Sequence, residues 1–63
     1  MKKVITTTNG EWYRFYLNNE IYGVLIYDDD RGTWVLITKD SNKKYYFESR
    51  EKSKKAVIEE LEG

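Results

Sequence analysis

The stretch that decides the fold runs from Trp12 to Ile37 and reads WYRFYLNNEIYGVLIYDDDRGTWVLI. Aromatic and β-branched residues fill it in runs that are typical of β-strands. Two polar interruptions separate these runs, Asn18-Asn19 and the acidic segment 28–32. Connections this short join antiparallel neighbours and leave no room for parallel crossovers. The stretch therefore predicts three consecutive antiparallel strands.

The flanking sequence extends this pattern in both directions. Upstream, VITTT is followed by Asn9-Gly10, the strongest signal for a two-residue hairpin turn. Downstream lies a short strand, and Ser49 is the predicted N-cap of a C-terminal helix. We expect one domain, 1–63, with strands at 4–8, 11–17, 20–27, 33–39 and 43–47 and a helix at 50–62. The predicted fold class is α+β, mostly β: a five-stranded antiparallel meander, curled or half-barrel, with one C-terminal helix.

The turns predict which side chains share a face of the sheet. Two-residue turns would pair Thr8 with Glu11 and Leu17 with Glu20, and would place Arg14 directly opposite Gly23. The face taken as the core then carries Val4, Tyr13, Phe15, Leu17, Tyr22, Val24 and Ile26. The second face carries Ile5, Trp12, Arg14, Tyr16, Ile21, Gly23, Leu25 and Tyr27. For the fourth strand the parity stays open: either Trp34 and Leu36 or Val35 and Ile37 point inward.

The predicted helix is too narrow to cover the whole sheet. Its apolar stripe consists of Val57, Ile58 and Leu61, continued by the aliphatic stems of Lys54 and Arg50. Both sheet faces are apolar, so a flat sheet would expose a large patch. Either the sheet curls into a half-open barrel, or the second face binds a partner.

Composition removes several classes of function. The chain has no histidine and no cysteine, which excludes the usual general base, thiolate metal sites and disulfides. Its formal net charge is zero, which argues against strong non-specific attraction to nucleic acid. No apolar run is long enough to span a bilayer, and the first residues are too polar for a signal peptide. We expect a soluble cytoplasmic protein without a membrane-spanning segment.

Catalysis and metal binding find no support in the residue pattern. An enzyme without His or Cys would need paired carboxylates or a Ser-Lys pair in a cleft. The acidic residues instead cluster in a predicted turn and at the end of the helix. A calcium loop that starts at Asp28 would need a glutamate at its twelfth position, where Lys39 stands. We predict a non-enzymatic protein without a metal or cofactor.

Aromatic residues that alternate with a cation are the first candidate for a binding surface. The predicted contact residues on the second face are Trp12, Arg14, Tyr16 and Tyr27. Such a face can anchor a protein partner. The first hypothesis is a small interaction domain, of the kind that phages and Gram-positive bacteria encode, which binds a protein through this face or a sheet edge. Because both outer strands would have free edges, we expect a monomer or an edge-paired homodimer.

Nucleic-acid binding is the alternative function. Between Lys43 and Lys55 cations outnumber anions by six to two. Several short motifs also carry a resemblance to a known family: Gly23-Val24, RGTWV at 31–35, Lys43-Lys44, Phe47 and Ala56. Through these motifs the chain resembles the three-stranded-sheet-plus-helix DNA-binding domains of plant ethylene-response factors and the arm-binding domains of phage integrases. The resemblance implies that Arg31, Trp34, Lys43 and Lys44 contact DNA. The start of the helix would add Arg50 and Lys52.

A third hypothesis is a designed chain without a biochemical function. The absence of Pro, His, Cys and Gln, the balanced charge and the Asn-Gly hairpin signal are all features of designed proteins.

Overall fold

The computed structural model describes residues 2–63 and contains five strands and one helix. They are β1 (Val4–Thr8), β2 (Tyr13–Leu17), β3 (Glu20–Asp28), β4 (Thr33–Thr38), β5 (Lys43–Tyr45) and α1 (Arg50–Glu62). The strands form one sheet in the order β1-β2-β3-β4-β5, and every neighbouring pair is antiparallel. The predicted α+β meander with a C-terminal helix is thus confirmed. The sheet is open rather than closed into a barrel.

Two short sequence signals, one for a turn and one for a helix cap, form the local structures predicted for them. Asn18 and Asn19 both adopt positive φ, 52° and 69°, and Leu17 pairs with Glu20 across a two-residue turn. Asparagine tolerates this left-handed conformation better than most residues. At the helix, the Ser49 hydroxyl accepts a hydrogen bond from the backbone N–H of Lys52 at 3.3 Å, and Gly63 is the C-cap. These turns and caps fix where β2, β3 and α1 begin or end.

The predicted two-residue turn at Asn9-Gly10 is wrong. Thr8 pairs with Tyr13 instead of Glu11, so the loop has four residues and β2 begins after Trp12. The Asn9 side chain stabilises the wider loop, because its Oδ1 accepts hydrogen bonds from the backbone N–H groups of Glu11 and Trp12 at 3.0 and 3.1 Å. The loop gains two residues, an even number, so the faces predicted for β1 and β2 are retained.

A bulge in β3 overturns the predicted face of most of that strand. Tyr16 pairs with Ile21, but Phe15 pairs with Gly23, so Tyr22 has no partner on β2. One extra residue reverses every side chain after it. Arg14 consequently lies opposite Val24 rather than Gly23. The prediction that Val24 and Ile26 face the core is wrong, as is the placement of Gly23, Leu25 and Tyr27 on the second face.

The core lies between the sheet and α1. Its buried members are Tyr13, Phe15, Leu25, Trp34, Leu36, Val57 and Leu61. Leu36 pairs with Leu25 and Trp34 with Tyr27, which settles the parity of β4: Trp34 and Leu36 point toward the helix. Phe15, Leu25 and Val57 have no exposed surface at all. The prediction that Tyr13 and Phe15 face the core is confirmed.

The first half of α1 packs through polar and charged side chains. The Arg50 guanidinium and the Lys54 ammonium lie over the Tyr13 ring, 4.8 and 5.1 Å from its centroid. Such cation–π contacts allow long cationic side chains to cover an aromatic ring while their charged ends remain near water. Ser53 is fully buried and exchanges two hydrogen bonds with the backbone of Phe47, at 3.0 and 3.2 Å. These contacts attach the helix to the end of β5.

Candidate binding surface

The sheet face that α1 does not cover is the candidate functional site, and we call it the open face. Pairing across the strands defines three rows of side chains on it. These rows are Ile5-Tyr16-Ile21, Thr7-Arg14-Val24-Ile37-Lys43 and Ile26-Val35-Tyr45. The bulge in β3 brings Val24 and Ile26 to this face, and β4 adds Ile37 and Val35, of which Val35 is itself buried. The face is therefore richer in aliphatic residues than the sequence predicts.

Three of the predicted contact residues form a cluster on the open face. The Arg14 guanidinium lies 5.1 Å from the centroid of the Trp12 ring. Its Nη1 also donates a hydrogen bond of 3.4 Å to the Tyr16 hydroxyl. All three side chains are half-buried. These two contacts hold Arg14 in place, with its guanidinium between the Trp12 ring and the Tyr16 hydroxyl.

A shallow apolar groove adjoins this cluster. It has a volume of about 290 Å³ and is lined by Ile21, Val24, Ile26 and Ile37, with Lys39 at its rim. Ile21 is 41% exposed. Neighbouring strands lie roughly 5 Å apart, so the groove between β3 and β4 directly adjoins Arg14 on β2. Aromatic, cationic and aliphatic surfaces thus meet on one face.

Charge is distributed unevenly along the open face. Arg14 and Lys43 flank Val24 and Ile37 in the middle row of the face. Lys39 follows β4 at the end near the start of β3, where its N–H donates to the Tyr22 carbonyl. The acidic segment 28–30 lies at the opposite end, where the Asp28 carboxylate accepts hydrogen bonds from the N–H groups of Asp30 and Arg31. Lys39 thus lies at one end of the face and the acidic segment 28–30 at the other, with Arg14 and Lys43 in the row between them.

Tyr27, the fourth predicted contact residue, lies on the other face. It pairs with Trp34, and their rings meet edge to face with centroids 5.6 Å apart. Tyr27 is 46% exposed, so it is a surface residue at the edge of the core. The physical reason is again the bulge at Tyr22, which reverses the face of every later residue of β3.

The residues of the nucleic-acid hypothesis are divided between the two sides of the sheet. Lys43 and Arg31 lie toward the open face, since Lys43 pairs with Ile37 and the Arg31 guanidinium lies over the Tyr45 ring at 4.4 Å. The others lie on the helix side or on α1 itself. Trp34 is buried in the core, Lys44 forms an ion pair with Glu60, Arg50 covers Tyr13, and Lys52 is exposed on the first turn. These six side chains do not form one continuous surface.

The ion pair between β5 and α1 includes a third residue. Glu60 accepts a hydrogen bond from the Lys44 ammonium and another from the Tyr46 hydroxyl at 2.6 Å. The bond from Lys44, followed by that from Tyr46, lowers the pKa of the Glu60 carboxyl. Burial, followed by the bond to Glu60, raises the pKa of the Tyr46 hydroxyl well above its usual range. The three side chains fasten α1 to the edge of the sheet.

This arrangement predicts how stability depends on pH. Because the folded pKa of Glu60 is depressed, its contribution is complete above the unfolded pKa, near 4.5, and is lost as pH falls through the folded pKa. We expect Glu60→Gln to lower stability at pH 7 slightly, since the pair is exposed, and to make the decline below pH 4.5 shallower. Urea unfolding at a series of pH values measures both.

Glu59→Gln is the matched control for this prediction. It removes the same charge from the adjacent position, and within residues 2–63 its side chain forms no ion pair. A Glu59→Gln variant whose acid decline changes as much as that of Glu60→Gln would contradict the role assigned to Glu60.

Another groove, of about 440 Å³, runs along the flank of α1. Its lining mixes cations and anions around a single aliphatic residue, Ile58. Charges of both signs offer no consistent chemistry to a ligand, in contrast to the apolar groove on the open face. In the part of the chain that the structure describes, no cluster of three acidic side chains could hold a metal ion.

Comparison with known proteins finds no family model, no curated protein and no solved structure that matches this chain. Over residues 2–63, the structure contains no helix of the length and hydrophobicity needed to cross a membrane.

Proposed function

We propose that the chain is a small interaction domain whose open face binds a protein segment with apolar side chains flanked by carboxylates. The observation that carries this proposal is the one-sided cover of the sheet. Helix α1 packs on one face, while the other presents the Trp12-Arg14-Tyr16 cluster beside an apolar groove. Exposed patches of this composition are typical of protein–protein interfaces, where Trp, Tyr and Arg contribute most of the binding energy.

The charges of the open face favour one orientation of the bound segment. Carboxylates of the partner would lie near Arg14 and Lys39, and its apolar side chains would fill the groove between Val24 and Ile37. The acidic segment 28–30 repels a carboxylate at the other end. Complementary charges of this kind set the register and raise the association rate more than they raise the affinity.

A selection experiment tests the proposal. Random peptides displayed on phage are selected on the wild-type chain and counter-selected on Val24→Lys, which places a charge in the groove. We expect enrichment of peptides that combine apolar residues with Asp or Glu. Their binding should shift the backbone amide resonances of Trp12, Arg14, Tyr16 and Ile37. No enrichment, or shifts confined to α1, would contradict the proposal.

Among single substitutions on the open face, we expect Trp12→Ala to weaken peptide binding most. Truncating a central aromatic residue of an interface costs about 2 kcal/mol or more, so Trp12→Ala should weaken binding of a selected peptide by about thirtyfold. Tyr27→Ala is the matched control, because it removes an exposed aromatic side chain from the opposite face. Isothermal titration calorimetry measures both affinities. Equal losses for the two variants would contradict an interface on the open face.

Nucleic acid is the competing ligand in the same assay. An oligothymidine titrated at about 50 mM salt, where phosphate contacts are strong, reports whether bases stack on Trp12 and Tyr16. If the oligonucleotide shifts the amide resonances of the same residues and the peptides do not, the open face binds single-stranded nucleic acid instead of a protein.

A further inference from the structure

We propose that the chain forms a two-fold symmetric dimer in which the β1 strands of two copies pair antiparallel, with the axis beside Thr6. The dimer uses the edge of the sheet, a different surface from the open face. It therefore forms whether or not the open face binds a protein.

Within residues 2–63, the hydrogen-bond pattern of β1 leaves one side of the strand without partners. The Asn18 N–H donates to the Lys3 carbonyl at 2.8 Å, in the same register as the five pairs between β1 and β2. In an antiparallel ladder, alternate residues bond to the neighbouring strand. Ile5 and Thr7 consequently bond to β2, and the backbone N–H and C=O groups of Val4, Thr6 and Thr8 point away from the sheet.

The β1 edge also lacks the features by which proteins prevent edge pairing. Such features are inward charges, proline, bulges and very short strands. The strand VITTT has no charge, proline or glycine, and its register with β2 has no bulge. The opposite edge, β5, is protected, because it has three residues and two of them are Lys43 and Lys44. Pairing is therefore expected at β1 and not at β5.

The sequence of β1 is complementary to itself about Thr6. A two-fold axis at this residue places Thr6 opposite Thr6 of the second copy and Val4 opposite Thr8. Each of these pairs can form two backbone hydrogen bonds. Continued outward, Lys3 lies opposite Asn9 and Lys2 opposite Gly10, so no lysine faces another lysine. Cross-strand pairs of β-branched residues are favourable, and like charges would not be.

The two-fold symmetry also places the open faces of the two copies side by side. An axis perpendicular to the sheet keeps both helices on one side and both open faces on the other. Ile5 of one copy then adjoins Thr7 of the second copy on the open side. The dimer would present two Trp12-Arg14-Tyr16 clusters on one continuous sheet. A contact limited to one strand edge is small, so its affinity is expected to be weak.

Sedimentation velocity over a concentration series tests the dimer. We expect the wild-type chain to pass from monomer to dimer between about 10 µM and 1 mM. Thr6→Pro removes an N–H that points outward and so leaves the bonds between β1 and β2 intact. It should lower the association constant about tenfold or more. Thr6→Val keeps the N–H and a β-branched side chain, and should dimerise like the wild type.

Amide hydrogen exchange of the wild-type chain decides the matter without a variant. The amides of Val4, Thr6 and Thr8 should exchange more slowly in concentrated than in dilute solution, while those of Ile5 and Thr7 change little. The proposal is overturned if the chain stays monomeric throughout the range, if Thr6→Pro dimerises as well as Thr6→Val, or if the outward amides show no concentration dependence. The exchange experiment tests the dimer even if Thr6→Pro fails to fold, since it uses the unmodified chain.

Discussion

Replacing Phe15 with alanine is expected to leave a large fraction of the molecules unfolded at room temperature. The Phe15 side chain has no exposed surface and lies in the core between the sheet and α1. Truncating a buried phenylalanine costs about 3–5 kcal/mol, because apolar contacts are lost and a cavity remains. A domain of 63 residues has a total stability of about 3–9 kcal/mol. The loss is therefore comparable with the whole stability of the fold.

Phe47→Ala is the matched control, since it makes the same chemical change at a side chain that is 50% exposed. We expect a cost below about 1 kcal/mol. Urea unfolding followed by tryptophan fluorescence measures both variants, because Trp34 is buried in the core and becomes exposed on unfolding. If Phe15→Ala were no less stable than Phe47→Ala, the assignment of the core to this face of the sheet would be wrong.

Gly23→Val is expected to have the second-largest effect, about 3 kcal/mol, because it introduces a clash with the backbone of β4. A Cβ atom at Gly23 would lie 2.7 Å from the carbonyl oxygen of Ile37 and 3.1 Å from the Cα of Thr38. Neither atom belongs to a flexible side chain, so the strand itself would have to move. Gly23 is the first residue after the bulge that pairs with β2, and it also pairs with Thr38 of β4.

Gly10→Ala separates this steric effect from the conformational cost of replacing a glycine. Gly10 has φ +97°, but a Cβ atom there would have no neighbour within 4 Å among residues 2–63. Its replacement should cost about 1–2 kcal/mol through backbone strain alone. Hydrogen exchange of the Val24 and Ile26 amides should accelerate in Gly23→Val and much less in Gly10→Ala. Undisturbed pairing between β3 and β4 in Gly23→Val would refute the close approach of the two strands.

The sequence predicts the candidate site correctly only where it also predicts the pairing register of the strands correctly. Trp12, Arg14 and Tyr16 lie before the bulge, and the sequence assigns them to the correct face. Tyr27 lies after it and is assigned to the wrong one. The aliphatic groove was missed for the same reason, because Val24 and Ile26 read as core residues. The one local signal for the bulge is Gly23, since a glycine within a strand often marks a bulge or a close backbone approach.

The sequence by itself determined the number, type and order of the elements, the turn at Asn18-Asn19 and the cap at Ser49. These features depend on side-chain and backbone preferences within a few residues. Only the tertiary structure decided the parity of β4, the bulge at Tyr22 and hence the residues of the open face. Side chains alternate along a strand, so one unpaired residue reverses all that follow. Phe15 and Leu25, which lie on either side of the bulge, pack in one core cluster with Val57 of α1, a contact between residues far apart in the chain that local preferences do not specify.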